Sequence, residues 1–190
     1  FTATTGHQVT LSSASTGVLS NQVLHGAPFD LLFAADRESP DMLFHAGIGQ
    51  QPFCYAIGQL VLVGQHGDLE KLAQPELSLA IANPATAPYG RAAMDVLQRE
   101  AFREARGRKL VRGNNAVQAY QFWHSGAVAR ALVPRSLAPE APPIPQDWHQ
   151  PLQQHAMILK ESPAASALLQ WLRRPEVRDQ ITGAGYLPCP

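Results

Sequence analysis

The sequence is poor in the features that mark most specialised protein classes. Only two cysteines occur in 190 residues, Cys54 and Cys189, with no Cys-x-x-Cys pair and no Cys/His cluster. A zinc ribbon, an iron–sulfur site and a disulfide-dense small fold are thereby excluded. The seven histidines are scattered, and His45, His66 and His124 read as isolated surface or half-buried residues rather than metal ligands. No charge of one sign prevails. Fifteen basic side chains balance fifteen acidic ones, which leaves no global field to attract nucleic acid or an anionic membrane. No apolar run approaches the length of a transmembrane helix, so membrane insertion is not expected. No signal-peptide pattern opens the chain, and Phe1 stands where a nascent chain carries Met. A processed or trimmed N-terminus is expected, and the compartment is not legible from it. Gly-x-Ser-x-Gly, His-Glu-x-x-His and P-loop motifs are all missing. A hydrolase improvised from Ser12, Ser15, Asp36 and His124 is therefore disfavoured, and neither catalysis nor a cofactor is expected.

What is present is a globular chain, 45% hydrophobic, long enough to bury one core or the cores of two small lobes. Its organising stretch runs from Val9 to Asp36. Val9 and Leu11 alternate with Thr10 and Ser12, the pattern of a strand. Ser15-Thr16-Gly17 then stands at a helix start, with Ser or Thr suited to the N-cap. Val18, Leu19, Val23 and Leu24 give the helix an apolar stripe, Gly26 fits its C′ position, and Phe29–Ala34 reads as a buried parallel strand. The turn gathers free backbone N–H groups at the positive end of a helix dipole, which suits an anion. Next come a helix capped by Ser39 and begun by Pro40, and a long strand, Phe53–Val63, whose Gly58 tolerates hinge geometry.

Two similar turns follow. Strand Leu77–Ile81 leads through Asn83 and Pro84 to Pro88, which begins a helix predicted to run to about Ala105, with the N–H groups of Tyr89 and Gly90 exposed at its start. Strand Lys109–Val111 leads through Gly113-Asn114-Asn115 to a helix over Ala116–His124. After strand Ala127–Val133, the six prolines of 134–151 mark a loop returning the chain. A strand over Leu152–Leu159 and two helices, begun by Pro163 and Pro175, complete the pattern. Alternating strands and helices imply an α/β fold with mostly parallel sheets. Cys54 lies in an apolar run that favours a buried free thiol, with a bridge to Cys189 as the alternative in an oxidising compartment.

The Ser-Thr-Gly turn followed by Gly26-Ala-Pro-Phe-Asp-Leu and Ala34-Ala-Asp36 resembles the periplasmic molybdate-binding proteins of ABC transporters. So do Tyr55-Ala-Ile-Gly-Gln-Leu-Val-Leu, Ala82-Asn-Pro-Ala-Thr-Ala-Pro-Tyr-Gly90 and the closing Gly185-Tyr186. The resemblance spans nearly the whole chain. It implies the two-lobed (type II) periplasmic binding protein fold, with lobe one over 1–56 plus 151–190 and lobe two over 57–150. It further implies high-affinity binding of molybdate or tungstate between the lobes, delivery to a permease, and a periplasmic location. By position, the oxyanion contacts fall on Ser15, Thr16, Gly17, Tyr89, Gly90 and Ala116. A tyrosine contact of some relatives aligns with Pro134, which has no donor. The family also opens with a strand whose turn holds the anion, and this chain begins about one βα unit later. That unit is therefore expected to be absent, leaving a sheet edge open along Val9–Ser13. A binding-protein fold that has lost its ligand and serves as a sensor or interaction module is the alternative.

Overall fold

A computed structural model describes residues 1–64, 68–105 and 107–190; His66 lies outside the described residues. After a short helix α1 (Thr2–Thr5) closed by left-handed Gly6 come α2 (Thr16–Leu24), β1 (Leu31–Ala34), α3 (Glu38–His45), β2 (Phe53–Gly58) and β3 (Leu60–Val63). Next are β4 (Ser78–Ala82), α4 (Pro88–Leu97), α5 (Glu100–Arg103), β5 (Lys109–Gly113), α6 (Ala116–His124) and β6 (Arg130–Pro134). The chain closes with β7 (Leu152–Ile158), α7 (Pro163–Leu172) and α8 (Pro175–Gly183). The strands form two sheets, ordered β1-β7-β2 and β3-β6-β4-β5.

The apolar alternation of each strand explains why both sheets are covered on two faces. Leu60 and Leu62 of β3 join Leu79, Ile81, Val96 and Phe102 on one side, while Val61 and Val63 join Ala80, Val133 and Ala119 on the other. In β7, Met157 packs with Val23, Leu32 and Leu43, whereas Ala156 and Ile158 face Ala165 and Leu169 of α7.

Several expectations are corrected. The sheets are not mostly parallel. The β1–β7, β2–β7 and β3–β6 pairs are antiparallel, and only β4 pairs in parallel, with β5 and β6. The cause is the return of the chain: β7 comes back between β1 and β2 and runs against both. Val9–Ser12 forms no strand, and Val9 and Leu11 are exposed. A two-residue alternation yields a strand only beside a hydrogen-bonding neighbour, and this segment has none among the described residues. Among the described residues β1 pairs with β7 alone, so it is β1 that stands at an edge of its sheet. The long strand divides at Gln59, and its halves enter different sheets. Gln59 is buried there; its side-chain amide donates to Gly185 O at 2.8 Å and its carbonyl accepts from Arg135 N at 2.9 Å. The helix begun by Pro88 stops at Leu97, because Arg99 turns extended to start α5 and lays its guanidinium over Trp148, 4.7 Å from the ring centroid. α3 starts at Glu38, with Asp36 rather than Ser39 supplying the side-chain acceptor, for Ser39 N at 3.0 Å.

Cys54 is not a free thiol. It is bonded to Cys189 across a sequence separation of 135. The run around Cys54 is only half-buried in β2, and Leu187 pairs with Ile57 through two backbone hydrogen bonds of 2.7 and 2.8 Å. That pairing carries the tail along β2 and brings Cys189 to it.

Candidate functional site

Each of the three predicted turns precedes a helix of nine or ten residues. At the first, Ser15 is extended (φ −67°, ψ 151°) and makes no side-chain capping bond. Its Oγ is buried and has no hydrogen-bond partner among the described residues. Thr16 Oγ1 accepts from Ala35 N at 3.0 Å, which fixes the start of α2 to the end of β1. Gly17 does not keep its N–H free: it donates to Thr86 O at 2.8 Å, and a Cβ on Gly17 would lie 2.9 Å from that oxygen. The glycine is required because two turns touch at this point.

The second turn is wound tightly around Asn83, whose carbonyl accepts from Ala87 N at 2.8 Å and whose Oδ1 accepts from Ala85 N at 3.1 Å. Gly90 donates its own N–H to Ala87 O at 2.9 Å, so it too is taken. Its side-chain position overlaps Ala82 O, which restricts it to glycine. Tyr89 N–H has no partner among the described residues. The Tyr89 side chain is buried rather than on the surface. Its hydroxyl reaches the space over Gly58, where a Cβ would overlap it, and it too lacks a partner.

The third turn lies beside the second, because β4 and β5 are parallel with Ala82 opposite Gly113, and Asn83 N donates to Gly113 O at 2.7 Å. Asn115 Oδ1 caps α6 by accepting from Gln118 N at 2.9 Å. The N–H groups of Ala116 and Val117 are left without partners among the described residues. The second turn thus adjoins both others, as expected for strand ends of an α/β sheet.

The electrostatics are those of neutral donors and helix dipoles. The nearest cation of the second turn, Arg91 on α4, is engaged: its Nη2 lies 2.6 Å from Asp36 Oδ2. Asp36 is 5% exposed and follows β1, so this pair joins the two sheets beside the first two turns. Behind them the phenols of Tyr55, Tyr89 and Tyr186 gather. Burial first, and the neighbouring Tyr186 second, push the Tyr55 and Tyr89 hydroxyls above the usual phenol range. Tyr186 reaches Ser136 Oγ at 3.3 Å.

Of the six predicted contacts, Ser15, Tyr89 and Ala116 keep open donors, Thr16 keeps its backbone N–H, and Gly17 and Gly90 give theirs to protein oxygens. Sequence reasoning passed over Val117 N–H, although any first-turn residue after an Asn cap has this property. It also passed over the Asp36–Arg91 pair, for which a separation of 55 residues leaves no local signal. Two residues of the improvised hydrolase have other partners: Asp36 is bound by Ser39 N and Arg91, and His124 stacks on Tyr120.

Known proteins resemble this chain over nearly its whole length. The model of a family described as bacterial extracellular solute-binding protein matches residues 1–187. The molybdate-binding protein ModA of Azotobacter vinelandii is 37% identical over 207 aligned positions, covering 98% of this chain and 81% of that protein. ModA of Rhodobacter capsulatus is 35% identical, over 98% of this chain and 80% of its own length. The solved periplasmic molybdate-binding protein of A. vinelandii superposes with a TM-score of 0.87 at 29% identity, over all of this chain and 91% of that one.

Proposed function

Because the chain belongs to the family of bacterial extracellular solute-binding proteins, we propose that it binds molybdate or tungstate between two lobes in the periplasm and presents the oxyanion to an ABC permease. Lobe one is assigned to 1–56 plus 151–190 and lobe two to 57–150. The two sheets support such a division, the first built from strands at both ends of the chain and the second from 60–134 alone, although β2 runs two residues past the assigned boundary, to Gly58.

One observation carries the reading. Among the described residues Ser15 Oγ is a buried hydroxyl without a partner, set at a helix start that touches a second start with an open N–H. A buried polar group left unpaired costs about 1–3 kcal/mol, so natural proteins rarely keep one without a use for it. A tetrahedral dianion fits these donors. Its oxygens accept from Ser15 Oγ–H and from the N–H groups of Thr16, Tyr89, Ala116 and Val117, and three helix dipoles offset its charge. Hydrogen bonds to an ionised acceptor are roughly twice as strong as neutral ones, so full-charge pairing is not required. Gly17 and Gly90 serve by permitting close approach of the backbone. Membership of a solute-binding family supports binding without turnover, with the oxyanion as ligand rather than cofactor.

Thermal unfolding and calorimetric titration with molybdate, tungstate, sulfate and phosphate test this. A ligand present at about a hundredfold excess over Kd raises stability by about 2.7 kcal/mol. Molybdate and tungstate are expected to do so and sulfate to act weakly, while Ser15→Ala should weaken binding by about 1.5–3 kcal/mol. No response to any oxyanion overturns the carrier reading and favours the ligand-free interaction module.

A further inference from the structure

The contact between Asp36 and Arg91 is not accounted for by anion binding. We propose that the two residues form a latch that holds the lobes closed, so that they position the oxyanion donors without touching the ligand; this rests on the two-lobed oxyanion reading above. Asp36 follows β1 in lobe one and Arg91 sits in the first turn of α4 in lobe two, with Nη2 and Oδ2 2.6 Å apart. The pair is asymmetric. The Asp36 side chain is only 6% exposed and that of Arg91 is 47% exposed. The carboxylate is also anchored, because Oδ1 accepts from Ser39 N at the start of α3. A fixed, buried carboxylate thus meets a long, solvent-fed guanidinium, which can leave into water when the lobes part. The Gly17 N–H to Thr86 O bond, 2.8 Å, spans the same gap.

Both contacts form between protein groups alone. They stabilise the closed form relative to the open one with or without ligand, so lobes that have closed on an oxyanion part less readily and release it more slowly. Asp36 has a second effect. By occupying Arg91 it leaves the donors of the first two turns neutral, so a dianion is held there by geometry rather than by a mobile cation. Two accounts of Arg91 therefore predict opposite signs for Asp36. If Arg91 attracts the anion directly, removing the carboxylate charge frees the guanidinium and tightens binding. If the pair is a latch, the same change weakens binding.

The experiment uses wild type, R91Q, R91E and D36N, in which the Asn side chain can still accept from Ser39 N. Molybdate Kd and dissociation rate are measured together with the ligand-free radius of gyration by small-angle scattering. The latch predicts a Kd about tenfold higher for R91Q and D36N, and higher again for R91E, where like charges face each other. The loss should appear in the dissociation rate, with association changed less than about threefold. Ligand-free R91E should be more extended than wild type, while far-ultraviolet dichroism of all four proteins is unchanged. Tighter binding by D36N, or wild-type Kd and radius in both Arg91 variants, overturns the latch. If wild type binds no oxyanion yet R91E is still more extended, the latch stands and the ligand reading fails.

Discussion

Gly58 and Tyr89 show how one residue's chemistry is set by another far away in sequence. The glycine has no unusual backbone requirement among the left-handed positions. It is needed because the Tyr89 phenol and the Gln154 side-chain amide occupy the space a methyl group would take. Gly58→Ala is expected to destabilise the fold by about 1–3 kcal/mol, the usual range for overpacking. Tyr89→Phe removes an unpartnered buried hydroxyl and should leave stability equal or slightly higher. Since the proposed donor of Tyr89 is its main-chain N–H, its oxyanion affinity should not change. The double variant should recover part of the Gly58→Ala loss, because the phenylalanine lacks the clashing oxygen. Chemical denaturation of the single and double variants measures this coupling directly. Strictly additive effects would show that the phenol is not what excludes a side chain at 58.

Elements differ in how far the sequence discloses them. Helix starts are local events, so Ser15, Pro88, Asn115 and Ser162 were legible from a few residues each, and Ser162 and Asn115 do accept the capping bonds their types suggest. Strands depend on partners, which is why Val9–Ser12 failed while the equally short β1 succeeded beside β7. The split at Gln59 was invisible for the same reason. Leu60–Val63 and Phe53–Gly58 are continuous in sequence, and only the return of β6 and β7 decides that each half pairs in a different sheet. Site residues follow the same division. Open donors at helix starts could be read from sequence, but the engagement of Gly17 by Thr86 and of Arg91 by Asp36 depends on how the elements are assembled.

The junction of β2, α4 and the tail also carries a titration. The phenols of Tyr55 and Tyr89 ionise less readily in the folded protein than the ordinary value of 10.0, chiefly through burial. Unfolded phenols therefore lose protons first. Stability is complete below pH 10 and falls as pH rises above it, at a slope approaching about 1.4 kcal/mol per pH unit for each such tyrosine. Denaturant midpoints between pH 9 and 11 should fall in wild type and fall less in Tyr55→Phe/Tyr89→Phe. Parallel curves for the two proteins would contradict the assignment.

At the scale of the molecule, the Cys54–Cys189 bond closes a loop that contains the whole second sheet, with a separation of 135 residues. It holds Tyr186 beside Ser136 and the tail against β2. Cys54→Ser/Cys189→Ser is expected to lower unfolding free energy by about 2–4 kcal/mol, the typical range for a bridge of this kind. Reduction of wild type with a dithiol should give the same midpoint as the double variant. A double variant as stable as the oxidised protein would show that strand pairing of Leu187 with Ile57 suffices to hold the tail.

The sheet orders also fix a sequence of events during synthesis. The second sheet uses strands from one continuous stretch, 60–134, and can assemble once that stretch has left the ribosome. β1 and β2 do not pair with each other; β7, at 152–158, lies between them. β1 and β2 therefore precede in sequence the strand that pairs with both, and Met157 of β7 completes a cluster that Val23, Leu32 and Leu43 begin. Until β7 arrives, nothing joins β1 to β2, so this one strand commits the first sheet to its folded form.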